Sequence, residues 1–165
     1  MSKYSREKAD RGFRIDVDAK SAKARQGIIG RMISEQLGKA TESSKKAFAS
    51  EMVRVFAETV RNCPIGDPNP GTRKNQQAPG RLRASGTLTL DGALVATGAE
   101  GGYAITSGGN TSATKAEIAY NTPYAFTQHE QLNYAHRYGG RAKYIEAVLL
   151  EEQERMRQTI AGRYD

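Results

Sequence analysis

The sequence predicts an α+β domain, in which a short antiparallel β-sheet packs against a long helix and a C-terminal helix follows. Three observations predict it. Apolar residues recur at three- and four-residue spacing from about Ser34 to Cys63. Short alternating runs bounded by turn residues fill the middle of the chain, and helical spacing returns from about Arg141 to Ala161. In front lies a basic N-terminal arm, 1–33, expected to be flexible. The remainder, 34–165, reads as one domain carrying a long basic Pro-rich loop over 64–80.

The arm is polar and rich in charge of both signs, with few apolar anchors. Around Phe13, Ile15 and Val17 apolar and charged residues alternate, a pattern suited to short strand pairing. The first helix is clearest in its second half. Phe48, Met52, Val55, Phe56, Val60 and Cys63 form one stripe, while Lys45, Lys46, Glu51, Arg54, Glu58 and Arg61 occupy the outer face. Pro64 ends it, because proline cannot continue the backbone ladder.

Four of the five prolines fall in 64–80, together with Gly66, Gly71 and Gly80, so this loop has no core of its own. A loop of that length inside a small domain is commonly functional or disordered. After it, Leu82, Leu88 and Leu90 lead to Asp91-Gly92, a hairpin signal, and then to Leu94-Val95-Ala96. Tyr103 and Ile105 alternate with small residues, Ser107–Asn110 reads as a turn, and Lys115–Tyr120 alternates again. These runs predict a meander of three or four strands with one face covered by the first helix. An irregular aromatic loop, 121–140, precedes the last helix, whose inner line is Ile145, Val148, Leu149, Met156 and Ile160.

Composition narrows the function. Of 165 residues only 38% are hydrophobic and none is Trp, which suits a chain with disordered tails or with segments that order only against a neighbouring subunit. The net charge of +7 and pI of about 9.6 favour polyanions or acidic protein surfaces as partners. Nine Lys/Arg against four Asp/Glu in residues 1–31, and five against one in 61–83, place that excess in the arm and the loop. One cysteine, Cys63, excludes an intrachain disulfide and a multi-cysteine metal cluster. No apolar run reaches transmembrane length and no apolar segment follows the basic start, so synthesis in a cytoplasm without a signal peptide is expected.

Catalytic arrangements fare poorly. His129-Glu130 invites comparison with a zinc-peptidase helix, but the second histidine is due at position 133, which is Asn133, and His136 lies seven residues on. Cys63 sits on the apolar stripe, away from the electropositive setting a reactive thiolate needs. Gly98–Gly102 and Ser107–Asn110 are Gly-rich but lack the Gly-Lys-Ser/Thr ending of a phosphate loop. No catalytic residue, metal or cofactor is therefore expected. A basic nucleic-acid-binding module contacting DNA is the rival reading, with Arg73, Lys74, Arg81 and Arg83 as phosphate contacts, although no helix-turn-helix, zinc finger or aromatic strand signature accompanies them.

Three segments carry a resemblance. Pro79-Gly80-Arg81-Leu82-Arg83-Ala84-Ser85 follows a helix ending in Cys63-Pro64. Asn121-Thr122-Pro123-Tyr124-Ala125 is followed by His129-Glu130, and Gly139-Gly140-Arg141-Ala142-Lys143-Tyr144-Ile145-Glu146 opens the last helix. In this order they resemble the phage tail-component family, the neck or tail-completion (head–tail joining) proteins of siphophages, across about residues 45–160. The motif positions are Gly80, Leu82, Ser85, Tyr124 and Glu130. The chain departs from the family in inserting Ile65–Ala78 before Pro79-Gly80. In the first segment the expectation is a strand entered sharply at Gly80, anchored by Leu82, with Arg81 and Arg83 on its other side.

The resemblance implies a virion structural protein and no enzyme. The expected assembly is a homo-oligomeric ring, a hexamer, joining the head connector or stopper to the tail terminator or tail tube, with packaged DNA in its channel. It would reside in the neck of the virion, and in the host cytoplasm during assembly. Arg73, Lys74, Arg81, Arg83, Tyr124, Phe126, Tyr134 and Tyr138 are the expected contacts to neighbouring subunits or partners. Membrane association is not expected.

Overall fold

A computed structural model describes residues 13–18, 42–67, 78–105 and 112–161. The rest of the arm, the start of the first helix before Glu42, the loop centre with Arg73 and Lys74, and the 107–110 turn lie outside the described residues.

The long helix α1, Glu42–Asn62, forms where the apolar stripe predicts it. Phe48, Met52, Val55 and Phe56 are fully buried along that stripe. Cys63 and Pro64 terminate it. A five-stranded sheet comprises β1 (Phe13–Asp18), β2 (Gly86–Leu90), β3 (Ala93–Ala99), β4 (Gly102–Ile105) and β5 (Lys115–Tyr120). Its order is β1-β5-β2-β3-β4, and every pairing is antiparallel. Strands β2 to β4 form the expected meander. β5 then returns to the far side of β2, and β1 adds a fifth strand, opposing Phe13, Ile15 and Val17 to Tyr120, Ile118 and Ala116.

Asp91-Gly92 is the two-residue turn of the β2–β3 hairpin. Both residues have positive φ (47° and 87°), as a type I′ connection requires. The Asp91 carboxylate also accepts the backbone N–H groups of Thr114 and Lys115, tying the turn to the start of β5. Alternate burial along β2 shows which face is inward: Leu88 and Leu90 are buried, Thr87 and Thr89 half-exposed.

The last helix, α4 (Glu146–Ala161), packs along α1 and buries Val148, Leu149, Met156 and Ile160. Arg54 links the two helices, with one guanidinium nitrogen 2.8 Å from Glu51 and another 2.8 Å from Glu152. The fold is thus the α+β arrangement expected, an antiparallel sheet with a long helix and a C-terminal helix.

Three local expectations are corrected. Arg81–Ala84 is one turn of helix, α2, and the strand begins only at Gly86. Gly80 enters it with φ 76°, and the Ala84 N–H bonds back to the Gly80 carbonyl at 2.9 Å, closing a helical turn. Leu82 therefore anchors a helix turn in the core, not a strand. The aromatic loop contains a short helix, α3, Ala125–Glu130. The last helix starts at Glu146 and not Arg141, because Gly139, Gly140 and Lys143 have positive φ and the backbone bends there.

Candidate functional site

Of the three segments singled out in the sequence, the first and third meet at the C-terminal end of α1, and the second bonds to both. A helix leaves its last carbonyls without partners in the helix. Here other parts of the chain supply donors. Arg83 donates from Nε to the Cys63 carbonyl (2.9 Å) and from Nη2 to the Arg61 carbonyl (2.6 Å). The Arg141 N–H donates to the Asn62 carbonyl at 2.9 Å, and the Ile65 N–H to the Gly139 carbonyl at 3.2 Å. A guanidinium against the negative end of a helix is also favoured by the helix dipole.

Close backbone approaches hold the junction. A Cβ on Gly98 would lie 1.8 Å from the Arg83 carbonyl oxygen, so only glycine lets β3 pass α2. A Cβ on Gly140 would lie 2.4 Å from Pro64 Cα, at a φ of 87°. The second segment joins through the Asn121 N–H, which bonds the Ser85 carbonyl at 3.3 Å. The third joins it through the Lys143 N–H, which bonds the His129 carbonyl at 2.7 Å.

Beneath these bonds lies an aromatic core. Tyr144 stacks edge-on against both Tyr120 (ring centroids 5.0 Å) and His129 (4.9 Å). The Tyr120 hydroxyl shares a 3.0 Å hydrogen bond with Thr59 of α1. Burial pushes the Tyr120 and Tyr144 phenols and the Cys63 thiol well above their ordinary values, so none ionises near neutral pH. Cys63 is a core residue, as its place on the stripe suggests.

His129, Glu130 and Glu146 come together with potential ligand atoms within 4.8 Å of one another. Lys143 Nζ lies 2.6 Å from Glu130 and 3.2 Å from Glu146, so an ammonium already neutralises the same carboxylates a metal would need. Burial holds His129 below its ordinary value, outweighing the adjacent Glu130 carboxylate. The ring is therefore neutral at pH 7, and its Nδ1–H donates to Glu130 at 2.9 Å. Burial would raise the Glu130 carboxyl, but hydrogen bonds from Lys143 and His129 prevail and keep it low. His136 is not part of this cluster. The arrangement is a partly buried ion network fastening α3 to the start of α4.

The other expected contact residues separate by exposure. Tyr124 is half-buried on the core, and burial raises its phenol although Arg81 lies close enough to oppose the shift. Phe126, Tyr134 and Tyr138 are exposed, at 45–47% of their surface. The structure adds two residues that sequence patterning did not single out. Leu132 is 76% exposed in the same loop, and Ile105 is 57% exposed on edge strand β4. A lone leucine between Gln131 and Asn133 was the available signal for the first. For the second there was none, since Ile105 alternates as any strand residue does. No helix among the described residues is long and apolar enough to cross a membrane. No family model, curated protein or solved structure matches the chain.

Proposed function

We propose that this chain is a structural subunit of a tailed-phage virion, joining the head connector to the tail as part of a homo-oligomeric ring. The observation that carries the reading is the division of labour between interior and surface. Arg83 and residues 139–141 fasten the end of α1, the second segment bonds to both of the others, and Glu130, Arg141, Lys143 and Glu146 are paired within the chain. Besides single exposed leucines at Leu94 and Leu150, apolar side chains are exposed in groups at two places among the described residues, edge strand β4 and the 126–138 loop. Exposed apolar residues in groups mark contact surfaces. A ring, unlike a two-fold dimer, joins two different surfaces of each copy, and two are available.

Arg83 bears on the DNA-binding alternative. Its guanidinium holds the end of α1, which removes one of the four arginines and lysines counted as phosphate contacts from the 61–83 set. Arg81 keeps its side chain exposed.

A phage in which this chain is not made tests the proposal. Filled heads and complete tails should accumulate separately, and adding the purified chain to the lysate should join them. Normal infectious particles without the chain would contradict the reading. Retention of assembly but loss of a DNA-dependent step, with salt-sensitive duplex binding by the purified chain, would favour the alternative.

A further inference from the structure

The geometry points to a head-to-tail contact between copies, in which edge strand β4 of one copy receives the 131–138 loop of the next. The inference rests on the ring reading and names the two surfaces that close it.

Strand β4 pairs with β3 and, among the described residues, with nothing on its other edge. Its register sets Ile105 opposite Ala96 and Tyr103 opposite Gly98. Ala96 is fully buried on the face that α1 covers, so Tyr103 and Ile105 continue that apolar face outward, where they are exposed. An edge strand with apolar side chains and open backbone groups is a ready site for another chain. The 131–138 loop offers the counterpart: Leu132 and Tyr134 stand on consecutive exposed positions around Asn133.

Charge decides in favour of this pairing over self-pairing of either surface. From Gly86 to Ile105 the chain carries two acids, Asp91 and Glu100, and no base. Asp91 is engaged by Thr114 and Lys115, which leaves exposed Glu100, at the β3–β4 turn, without an ion pair among the described residues. From Gln131 to Lys143 there are three bases and no acid. Arg141 pairs with Glu151 and Lys143 with Glu130 and Glu146, which leaves exposed Arg137 without an ion pair among the described residues. Self-pairing of β4 would join two surfaces that each offer only an acid, and self-pairing of the loop two that each offer only a base, so neither gains an ion pair. Only the mixed contact joins opposite charges across apolar centres, and only the mixed contact propagates into a ring.

Cross-linking in assembled particles tests it. Particles are grown with the chain supplied in trans as two single variants, Ile105→Cys and Tyr134→Cys, alone and mixed, and treated with a short thiol-specific cross-linker. Native Cys63 is fully buried with its thiol raised, so it contributes no background. Cross-linked dimers are expected from the mixture only. Particles that contain the chain but give no dimer, or give it from either variant alone, would overturn the pairing and leave the ring standing. Particles that lack the chain altogether would overturn the neck reading itself. Should the cysteine variants not fold, charge exchange serves. Glu100→Arg or Arg137→Glu alone should each lower particle yield about tenfold, and the two in one chain should restore it. Equal loss in the double variant would contradict the contact.

Discussion

Arg83 and Cys63, twenty residues apart in sequence, are joined by a 2.9 Å hydrogen bond from the guanidinium Nε to the backbone carbonyl. Through it a side chain of the loop-exit segment closes the helix that precedes the loop. Replacing Arg83 with Ala should therefore destabilise the fold by about 1.5–3 kcal/mol, the range for hydrogen bonds to a charged donor. Arg81→Ala, on the exposed side of the same turn, should change it by about 0.5 kcal/mol or less. Urea denaturation of both variants measures the difference, and equal effects would contradict the cap.

Gly98 and Gly101 should respond oppositely to alanine. At Gly98 the new methyl meets the Arg83 carbonyl oxygen at 1.8 Å, a contact that cannot form without displacing α2. Loss of more than about 3 kcal/mol, or failure to fold, is expected. At Gly101 nothing lies within 4 Å and φ is not positive, so alanine should be neutral or stabilise by about 0.4–1 kcal/mol. Thermal melting of the two variants decides it.

Thr59 and Tyr120 should couple. Both are fully buried, and their hydroxyls bond each other at 3.0 Å. Thr59→Val leaves the buried Tyr120 hydroxyl without this partner and should cost about 1–3 kcal/mol, whereas Tyr120→Phe should cost about 1 kcal/mol, because Thr59 still donates to the Phe56 carbonyl at 2.8 Å. A double-mutant cycle should return a coupling of about 1 kcal/mol; a value near zero would mean the bond does not form.

Acid should weaken the fold in two stages. The folded-state value of His129 lies below the ordinary 6.5, so between the two the unfolded chain binds the extra proton. Stability is then complete above about pH 6.5 and falls as pH drops below it. Glu130 adds a second loss, because its carboxyl is held below 4.5 and its contribution disappears as pH falls through that lowered value. Denaturation midpoints at a series of pH values should show the first slope, and His129→Gln should flatten it. An unchanged slope in that variant would place its origin elsewhere.

Much of the fold was legible because its signals are local. The stripe from Phe48 to Cys63, the stop at Pro64 and the Asp91-Gly92 turn each depend on neighbours in sequence, and each appears where expected. The turn of helix at Arg81–Ala84 was not legible. Leu82 and Leu88 fit a strand period as well as a helix turn, and the deciding contacts, Gly98 and Cys63, come from elsewhere in the chain. The start of the last helix was misplaced for a similar reason. Arg141 and Lys143 are good helix formers, but Gly139, Gly140 and Lys143 take positive φ, and Gly140 does so where the backbone passes Pro64. At the site, patterning selected Phe126, Tyr134 and Tyr138, which are exposed, and Arg83, which is bound to the end of α1. It could not separate them, since exposure is a property of the packed molecule.

Labelling the chain within purified virions tests the central proposal most directly. With an antibody or a fused density marker, electron micrographs should show the label as a collar where head meets tail, in several copies per particle. Label confined to the capsid or tail tip, or virions that contain none of the polypeptide, would contradict the account.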